Sequence, residues 1–386
     1  MHCGIRKNRT KKDLALIVSS TRAAAAACYT TNLVKGAPLV VTAQNLADGH
    51  AQAVVCNSGN ANTCNANGIE IAGGMCRLVE QATGIAAADV VVASTGVIGQ
   101  AMTLAPFETG IPAAAAALAP GGGEAAAEAI MTTDTVKKEL AVEFTVGGKV
   151  CRMGGIAKGS GMIHPNMATM LVFITTDAAI CPAMLQKALS ADVPDSFNMI
   201  SIDGDTSTND MVTVLANGQA GNEEITGEGA DYDAFCEALA AVTRPLCRAI
   251  AKDGEGATKL LECKVTGAKS RQAARTVAKS VIKSSLFKAA MFGADANWGR
   301  VLCAIGYAGA EVDIGRVNVD FRSRAGTVAV CREGSGIPFS EEEAKKVLSE
   351  DEIEVLIRLG DGNGKATAWG CDLTYDYVKI NGDYRT

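Results

Sequence analysis

Residues 158–177 read KGSGMIHPNMATMLVFITTD, and two kinds of structure meet inside this stretch. Gly159 to Asn166 is rich in Gly, Pro and Asn, which predicts a loop. Met170 to Ile174 is an apolar run rich in β-forming residues, which predicts a buried strand. Thr169 sits at the junction, where the predicted loop becomes the predicted strand.

A threonine at such a junction suits a self-cleaving enzyme. A strand holds Thr169 rigidly, and a bent loop before it lets its hydroxyl attack the carbonyl of Ala168. The freed α-amine, with a pKa of about 7.7–8.0, can then act as general base without a histidine. This suits a chain whose histidines are only His2, His50 and His164. On the residues alone, an ordinary strand-forming threonine remains the alternative, because β-branched residues favour strands.

Composition narrows the class of protein. The 386 residues suffice for two domain-sized cores or one large α/β body. With 48% hydrophobic and 20% charged residues, the chain is typical of soluble globular proteins. The net charge of −6 argues against a nucleic-acid partner. One basic stripe recurs at helical spacing, and we interpret it as a solvated helix face; it comprises Arg271, Arg275, Lys279 and Lys283.

Cysteine usage and the N-terminus indicate the compartment. The 13 cysteines are scattered and include no C-x-x-C pair. The first residues lack the apolar core of a signal peptide, and no run approaches the length of about 20 apolar residues that spans a bilayer. We therefore expect a cytoplasmic protein with reduced thiols and no membrane partner. The few histidines and dispersed thiols also predict no metal site.

Short apolar runs alternate with helical patterns along the chain, which predicts an α/β (α+β) body of layered sheets and helices. The predicted strands are 14–18, 53–56, 90–93, 199–202, 211–215, 317–321 and 327–331, with a hairpin of 141–145 and 150–153 around Gly147-Gly148. The predicted helices are 69–82, 123–131, 232–251, 270–292 and 340–348, with a short alanine-rich helix at 113–117. Pro245 should kink or split the helix that contains it. A change in composition near 266–269 predicts a smaller C-terminal α+β unit from about 268 to 386.

Seven separated blocks resemble the ornithine acetyltransferase (glutamate N-acetyltransferase) family of arginine biosynthesis. They are KKDLALI at 11–17, STGVIG at 94–99, MTTDT at 131–135, the stretch 158–171, KDGEGATK at 252–259, ADANWGR at 294–300 and the tail 377–386. The blocks run from residue 11 to the last residue, so the resemblance covers nearly the whole chain. Their common order and spacing argue against chance agreement.

The resemblance implies a reaction and a fold. Thr169 matches the family's nucleophile, and cleavage between Ala168 and Thr169 would give an α segment, 1–168, and a β segment, 169–386. The family moves an acetyl group from N-acetylornithine to glutamate through an acetyl-threonine ester. Its fold is of the N-terminal-nucleophile-like type shared by the DmpA and ArgJ enzymes. The implied assembly is a heterotetramer of two α and two β segments.

The resemblance also assigns other positions. Thr95 and Gly96 match the pair that stabilises the oxyanion, and a Ser-Thr-Gly turn after a strand can present a hydroxyl and a backbone N–H. Besides Thr169, the positions matching substrate contacts are Thr132, Lys158, Glu255, Asn381 and Thr386. A lysine suits a substrate carboxylate and a glutamate suits an ammonium group. The sequence leaves open whether Thr132 or Thr133 makes the contact.

Two other functions stay open at this point. The chain could be an N-terminal-threonine aminopeptidase or amidohydrolase of related fold, which passes the acyl group to water. It could also be a small-molecule binding protein that keeps the fold without the chemistry. No cofactor is expected, and whether acetyl-CoA serves as a second acetyl donor is not settled by the sequence.

Overall fold

The computed structural model describes residues 1–164 and 170–382 as an α/β body. Its strands are β1 (Leu14–Tyr29), β2 (His50–Asn60), β3 (Val90–Val97), β4 (Lys138–Val146), β5 (Lys149–Lys158), β6 (Leu171–Thr176), β7 (Ile200–Ser201), β8 (Met211–Ala216), β9 (Leu260–Ala268), β10 (Asn318–Ser323), β11 (Gly326–Arg332), β12 (Ser335–Gly336), β13 (Glu352–Arg358) and β14 (Gly364–Cys371). Its helices are α1 (Ala37–Asn45), α2 (Gly68–Thr83), α3 (Ala105–Ala116), α4 (Gly123–Ile130), α5 (Pro182–Asp192), α6 (Ala230–Lys252), α7 (Arg271–Lys283), α8 (Ser285–Phe292), α9 (Trp298–Gly306), α10 (Glu341–Leu348) and α11 (Tyr375–Asn381). The α/β class predicted from the sequence is confirmed.

The described strands form two seven-stranded sheets. The first has the order β3-β2-β1-β8-β6-β5-β4, with β2–β3 and β6–β8 parallel and the other pairs antiparallel. The second has the order β12-β11-β10-β13-β9-β14-β7. Helix α6 packs against strands of both sheets, and α7 packs on β9 and β14. The largest hydrophobic core therefore lies between the sheets, while α4 and α1 help to cover the opposite face of the first sheet.

Strand β1 is much longer than its sequence pattern predicts. The apolar run ends near Val18, and five consecutive alanines follow at 23–27. Alanine favours helices in isolation, yet these residues are extended because β2 and β8 bond to β1 from its two sides. A register shift between Val18 and Ala23 separates the two halves of the strand. Tertiary pairing has overridden local propensity here.

Two helix predictions need correction. The predicted helix 270–292 is divided into α7 and α8, because Ser284 is extended and its hydroxyl accepts a hydrogen bond from the amide of Phe287. Of the two outcomes predicted for Pro245, a kink or a split, the split is wrong, because α6 runs unbroken from Ala230 to Lys252. Burial of one face of α6 between the sheets outweighs the cost of about 3 kcal/mol for an internal proline.

The basic stripe on α7 is only partly solvated, so its interpretation as an exposed face is wrong for two members. The guanidinium of Arg275 pairs with Asp195 at 2.6 Å and is 20% exposed. Lys279 donates to the carbonyl of Asn198, and burial lowers the pKa of Lys279 to about 7. These residues fasten α7 to the segment before β7.

The C-terminal unit from about residue 268 stays a prediction. Strands β10 to β14 of the second sheet lie inside it. The same sheet also takes β9, which ends at Ala268, and β7, which lies far earlier in the chain. The second sheet is thus assembled from both sides of the predicted boundary.

Candidate active site

A cavity of about 110 Å³ lies where the first sheet meets the loops that follow β3, α4, β5 and α6. Its lining includes most positions that the sequence singled out: Thr95, Gly96, Thr132, Thr133, Lys158, Glu255 and Asn381. These residues are separated by up to 286 positions in the chain (381 − 95). The fold therefore brings together the residues of five separate sequence blocks.

The end of β3 supplies a hydroxyl and a glycine turn. β3 pairs in parallel with β2, and Gly96 stands opposite Gly59 in the ladder. Gly96 has a φ of +131°, and a Cβ there would lie 2.6 Å from the amide nitrogen of Asn60. Only glycine allows this close approach of two backbones. The approach fixes the adjacent Thr95 where its hydroxyl faces Lys158.

Lys158 is a buried cation at the end of β5. It is 7% exposed, and its ammonium nitrogen lies 2.7 Å from the hydroxyl oxygen of Thr132 and 3.3 Å from that of Thr95. Burial lowers the pKa of Lys158, the charge of Lys138 lowers it further, and the carboxylate of Asp134 opposes both effects. The ammonium group contacts neutral hydroxyls, which leaves it suited to an anionic group of a substrate.

Glu255 and Asn381 form the opposite part of the wall. The carboxylate of Glu255, only 7% exposed, accepts a hydrogen bond of 2.7 Å from the side-chain amide of Asn381. Gly161 passes so close that a Cβ there would overlap the Glu255 carboxylate. Asn381 ends α11, so the C-terminal helix contributes directly to the cavity.

Thr169, Ala168 and Thr386 lie outside the described residues. Met170, the chain neighbour of Thr169, is described: it lines the cavity, and its carbonyl accepts a hydrogen bond of 2.8 Å from the amide of Met211. The strand predicted from Met170 is present as β6 and begins one residue later, at Leu171. The first described residue after Thr169 therefore lies at the cavity wall.

Sequence reasoning missed part of the lining that precedes β8. Ser207, Asn209 and Asp210 all face the cavity. Asn209 is buried, and its side-chain amide donates to the carbonyls of Ala61 at 2.6 Å and Ser94 at 3.0 Å. The second of these hydrogen bonds fixes the position of Ser94, the residue just before Thr95. The available signal was the unbroken polar run DGDTSTND at 203–210 in front of an apolar strand.

The described residues show neither a metal-binding cluster nor a membrane-spanning helix. Across 1–164 and 170–382, no group of three or more His, Cys, Asp or Glu side chains is arranged to hold a metal ion. Within the same residues, no helix combines the length and apolarity required to cross a bilayer.

An α/β body whose cavity joins two hydroxyls, a glycine turn and a buried ammonium group has the parts of an acyl-transferring enzyme. A sequence model described as the ArgJ family matches residues 1–386. The arginine biosynthesis bifunctional protein ArgJ of Symbiobacterium thermophilum is 55% identical over 377 residues, which are 97% of this chain and 93% of that protein. The protein of the same name from Caldanaerobacter subterraneus subsp. tengcongensis is 51% identical over 379 residues, which are 98% and 94% of the two chains.

A solved structure agrees with these sequence matches. The crystal structure of the arginine biosynthesis bifunctional protein ArgJ from Bacillus halodurans aligns with 55% of this chain and 99% of that chain, at 50% sequence identity and a TM-score of 0.53. The chain therefore belongs to the ArgJ family. The predicted acetyl-transferring activity in arginine biosynthesis is confirmed by this membership, and the aminopeptidase alternative is not favoured.

Proposed function

We propose that this enzyme carries an acetyl group from N-acetylornithine to glutamate as an ester on Thr169. The observation that supports this most directly is the convergence of Thr95, Gly96 and Lys158 on a cavity whose wall includes Met170. Met170 directly follows Thr169 in the chain and lines the same cavity as the proposed oxyanion and carboxylate contacts.

The nucleophile is generated by self-cleavage in this proposal. The Thr169 hydroxyl attacks the Ala168 carbonyl, the C–N bond breaks, and the resulting ester is hydrolysed by water. Residue 168 then ends in a carboxylate and Thr169 begins with a free amine. That amine accepts the hydroxyl proton in later cycles.

Acetyl transfer then occurs in two half-reactions. The Thr169 oxygen attacks the acetyl carbonyl of N-acetylornithine, and ornithine leaves after its α-nitrogen receives a proton. The amine of glutamate next attacks the acetyl ester, releases the Thr169 oxygen and yields N-acetylglutamate. The Thr95 hydroxyl and the Gly96 N–H stabilise the oxyanion that forms in each half-reaction.

Charge complementarity assigns the substrate ends. The ammonium of Lys158 binds an α-carboxylate, and the carboxylate of Glu255 binds the side-chain ammonium of ornithine. Asn381 orients Glu255 through their hydrogen bond. Thr132, whose hydroxyl accepts from Lys158, contacts substrate in preference to Thr133. Thr386 completes the substrate contacts.

The proposal extends to a second donor and to assembly. The relatives in the comparison are named bifunctional, which supports acetyl-CoA as an additional acetyl donor for glutamate. We also propose that the α and β segments form a heterotetramer of two copies each and that the enzyme works in the cytoplasm. No bound cofactor is required, because the acetyl group is carried on the threonine oxygen.

The test is an assay of purified protein and its Thr169→Ala variant with N-acetylornithine or acetyl-CoA as donor. The native enzyme should appear as two fragments on a denaturing gel and release ornithine only when glutamate is present. Thr169→Ala should stay a single chain and lose transfer. Release of acetate without glutamate would favour the hydrolase, and cleavage or transfer by Thr169→Ala would refute the proposed nucleophile.

A further inference from the structure

A buried ionic network lies behind the cavity and outside the set of proposed substrate contacts. It consists of Asp134, Lys138 and Asp253, whose side chains are 0%, 1% and 6% exposed. The ammonium nitrogen of Lys138 lies 2.7 Å from a carboxylate oxygen of Asp134 and 2.6 Å from one of Asp253. A buried ion pair of this kind is weak support for stability alone, because desolvation offsets its attraction.

The Asp134 carboxylate holds two of the three segments that supply substrate contacts. One oxygen accepts a hydrogen bond of 3.0 Å from the amide of Thr132. The other accepts one of 2.7 Å from the amide of Gly159, which directly follows Lys158. A single carboxylate therefore sets the distance between the Thr132 hydroxyl and the Lys158 ammonium.

Asp253 holds the third segment. Its carboxylate accepts a hydrogen bond of 3.1 Å from the amide of Thr135, and its carbonyl accepts one of 2.6 Å from the hydroxyl of Ser160. The carbonyl of Ser160 in turn accepts the amide of Glu255 at 2.9 Å. Lys138 thus links the backbone positions of Thr132, Lys158 and Glu255.

The network also determines the charge around Lys158. Asp134 is the strongest of the groups that favour its protonated form, while Lys138 opposes protonation. Cys56 on β2 and Asp210 before β8 also act on Lys158 and favour the ammonium form. Burial alone would raise the pKa of Asp134, but the charges of Lys158 and Lys138 outweigh it and lower that pKa.

We propose that Asp134, Lys138 and Asp253 are positioning residues that fix Thr132, Lys158 and Glu255 for contact with the substrate. Asp134 also supplies a negative charge that favours the ammonium form of Lys158. This inference rests on the function proposed above. None of the three residues lines the cavity, so each acts through Thr132, Lys158 or Glu255.

Asp134→Asn tests the inference. Asparagine has the same size as aspartate but carries no charge. Its NH₂ group cannot accept a hydrogen bond, so only one of the backbone amides of Thr132 and Gly159 keeps its acceptor. The KM for glutamate should rise about tenfold, as for the loss of a charge-assisted contact. The alkaline fall of kcat/KM should begin about one pH unit lower, because Lys158 loses its proton more easily without the nearby carboxylate.

The matched control is Glu124→Gln, which neutralises an exposed carboxylate paired with the neighbouring Lys137. It should change neither the KM nor the pH profile. The double variant Asp134→Asn/Lys138→Met removes one charge of each sign, so the alkaline fall should return toward its native position while the KM stays raised.

A purely structural role would lower the melting temperature of Asp134→Asn while KM and pH profile stayed native, and that result would overturn the inference. If Asp134→Asn does not fold, Asp253→Asn tests the network through the KM for N-acetylornithine, because Asp253 holds the segment that carries Glu255. A native KM in that variant would equally reject the inference. Absence of acetyl transfer in the native enzyme would instead reject the proposed function.

Discussion

At the scale of single residues, His164 is held in a partly buried environment on the second sheet. Its ring nitrogen lies 3.0 Å from the Ser201 hydroxyl. Burial, together with the charges of Lys279 and Lys283, lowers the pKa of His164 to about 3. The folded protein therefore keeps this imidazole neutral, whereas the unfolded chain protonates it below a pH of about 6.5.

Acidification should consequently destabilise the fold through His164. Between about pH 6.5 and pH 3 the unfolded chain binds a proton that the folded chain does not, so stability falls as the pH falls. In His164→Asn, the loss of unfolding free energy from pH 7 to pH 4.5 should be smaller by about 2 kcal/mol. Urea denaturation at the two pH values measures this, in a Thr169→Ala background that should keep the chain intact.

The control for this measurement is His50→Asn, at the start of β2, where the ring bonds the carbonyl of Asp48. This variant should show the same change in unfolding free energy from pH 7 to pH 4.5 as the native protein. If the unfolding free energy of His164→Asn depends on pH as in the native protein, burial of the native His164 ring does not resist its protonation.

At the scale of elements, the turn at the end of β3 depends on one glycine. In Gly96→Ala the new methyl group would press on the β2 backbone, so we expect loss of stability of about 3 kcal/mol and transfer reduced more than about 100-fold. Gly99→Ala is the matched control, since Gly99 also has a positive φ, +74°, but nothing lies within 4 Å of a Cβ there. Thermal melting and kcat/KM should separate the two variants. Equal effects would mean that backbone conformation, and not the contact with Asn60, is what the site requires.

The C-terminal helix α11 is the second element with a direct role. Gly256 has a φ of +67°, and a Cβ there would lie 2.6 Å from the amide nitrogen of Tyr377. The hydroxyl of Thr374 also donates to the Gly256 carbonyl at 2.7 Å. The helix is therefore packed closely on the loop that carries Glu255.

Deleting 381–386 should abolish transfer and leave self-cleavage largely intact, because the deletion removes Asn381 and Thr386, two proposed substrate contacts, and leaves the predicted cleavage segment and the Thr95–Gly96 turn in the chain. Gel analysis measures cleavage, and ornithine release measures transfer. The single variant Asn381→Ala should raise the KM for N-acetylornithine about tenfold. Normal turnover by the truncated enzyme would contradict the proposed role of the tail.

At the scale of the whole molecule, the proposed cleavage would divide one sheet between two polypeptides. Strands β1 to β5 would belong to the first segment, and β6 and β8 to the second. In the sheet, the β8–β6 pair lies between β1 and β5. Continuous ladders join β1 to β8 and β5 to β6.

The two segments should therefore remain together after cleavage. We expect them to co-elute in native size-exclusion chromatography and to separate only in denaturant, because parting them requires breaking two buried strand ladders. Thr169→Ala, as the uncleaved control, should elute at the same volume. Separate elution of the fragments under native conditions would contradict the continuity of this sheet.

Some residues of the site could be predicted from the sequence and others could not. Thr95, Gly96, Lys158 and Glu255 were predicted because they lie in sequence blocks that resemble a known family. Asn209 was missed, since nothing in its local sequence indicates that its amide reaches the carbonyls of Ala61 and Ser94. The contact exists only because β8 enters the sheet beside β1.

Local patterns by themselves determined the α/β class, the β4–β5 hairpin and helices such as α2 and α10. They succeeded because hydrophobic periodicity and turn residues act over a few neighbouring positions. The order of strands in the two sheets, the extension of the alanines in β1 and the division at Ser284 were decided by tertiary structure. Tertiary structure also decided how Lys138 links the segments that carry Thr132, Lys158 and Glu255. Each of these depends on partners distant in sequence, and their packing and hydrogen bonds outweigh the preference of the local chain.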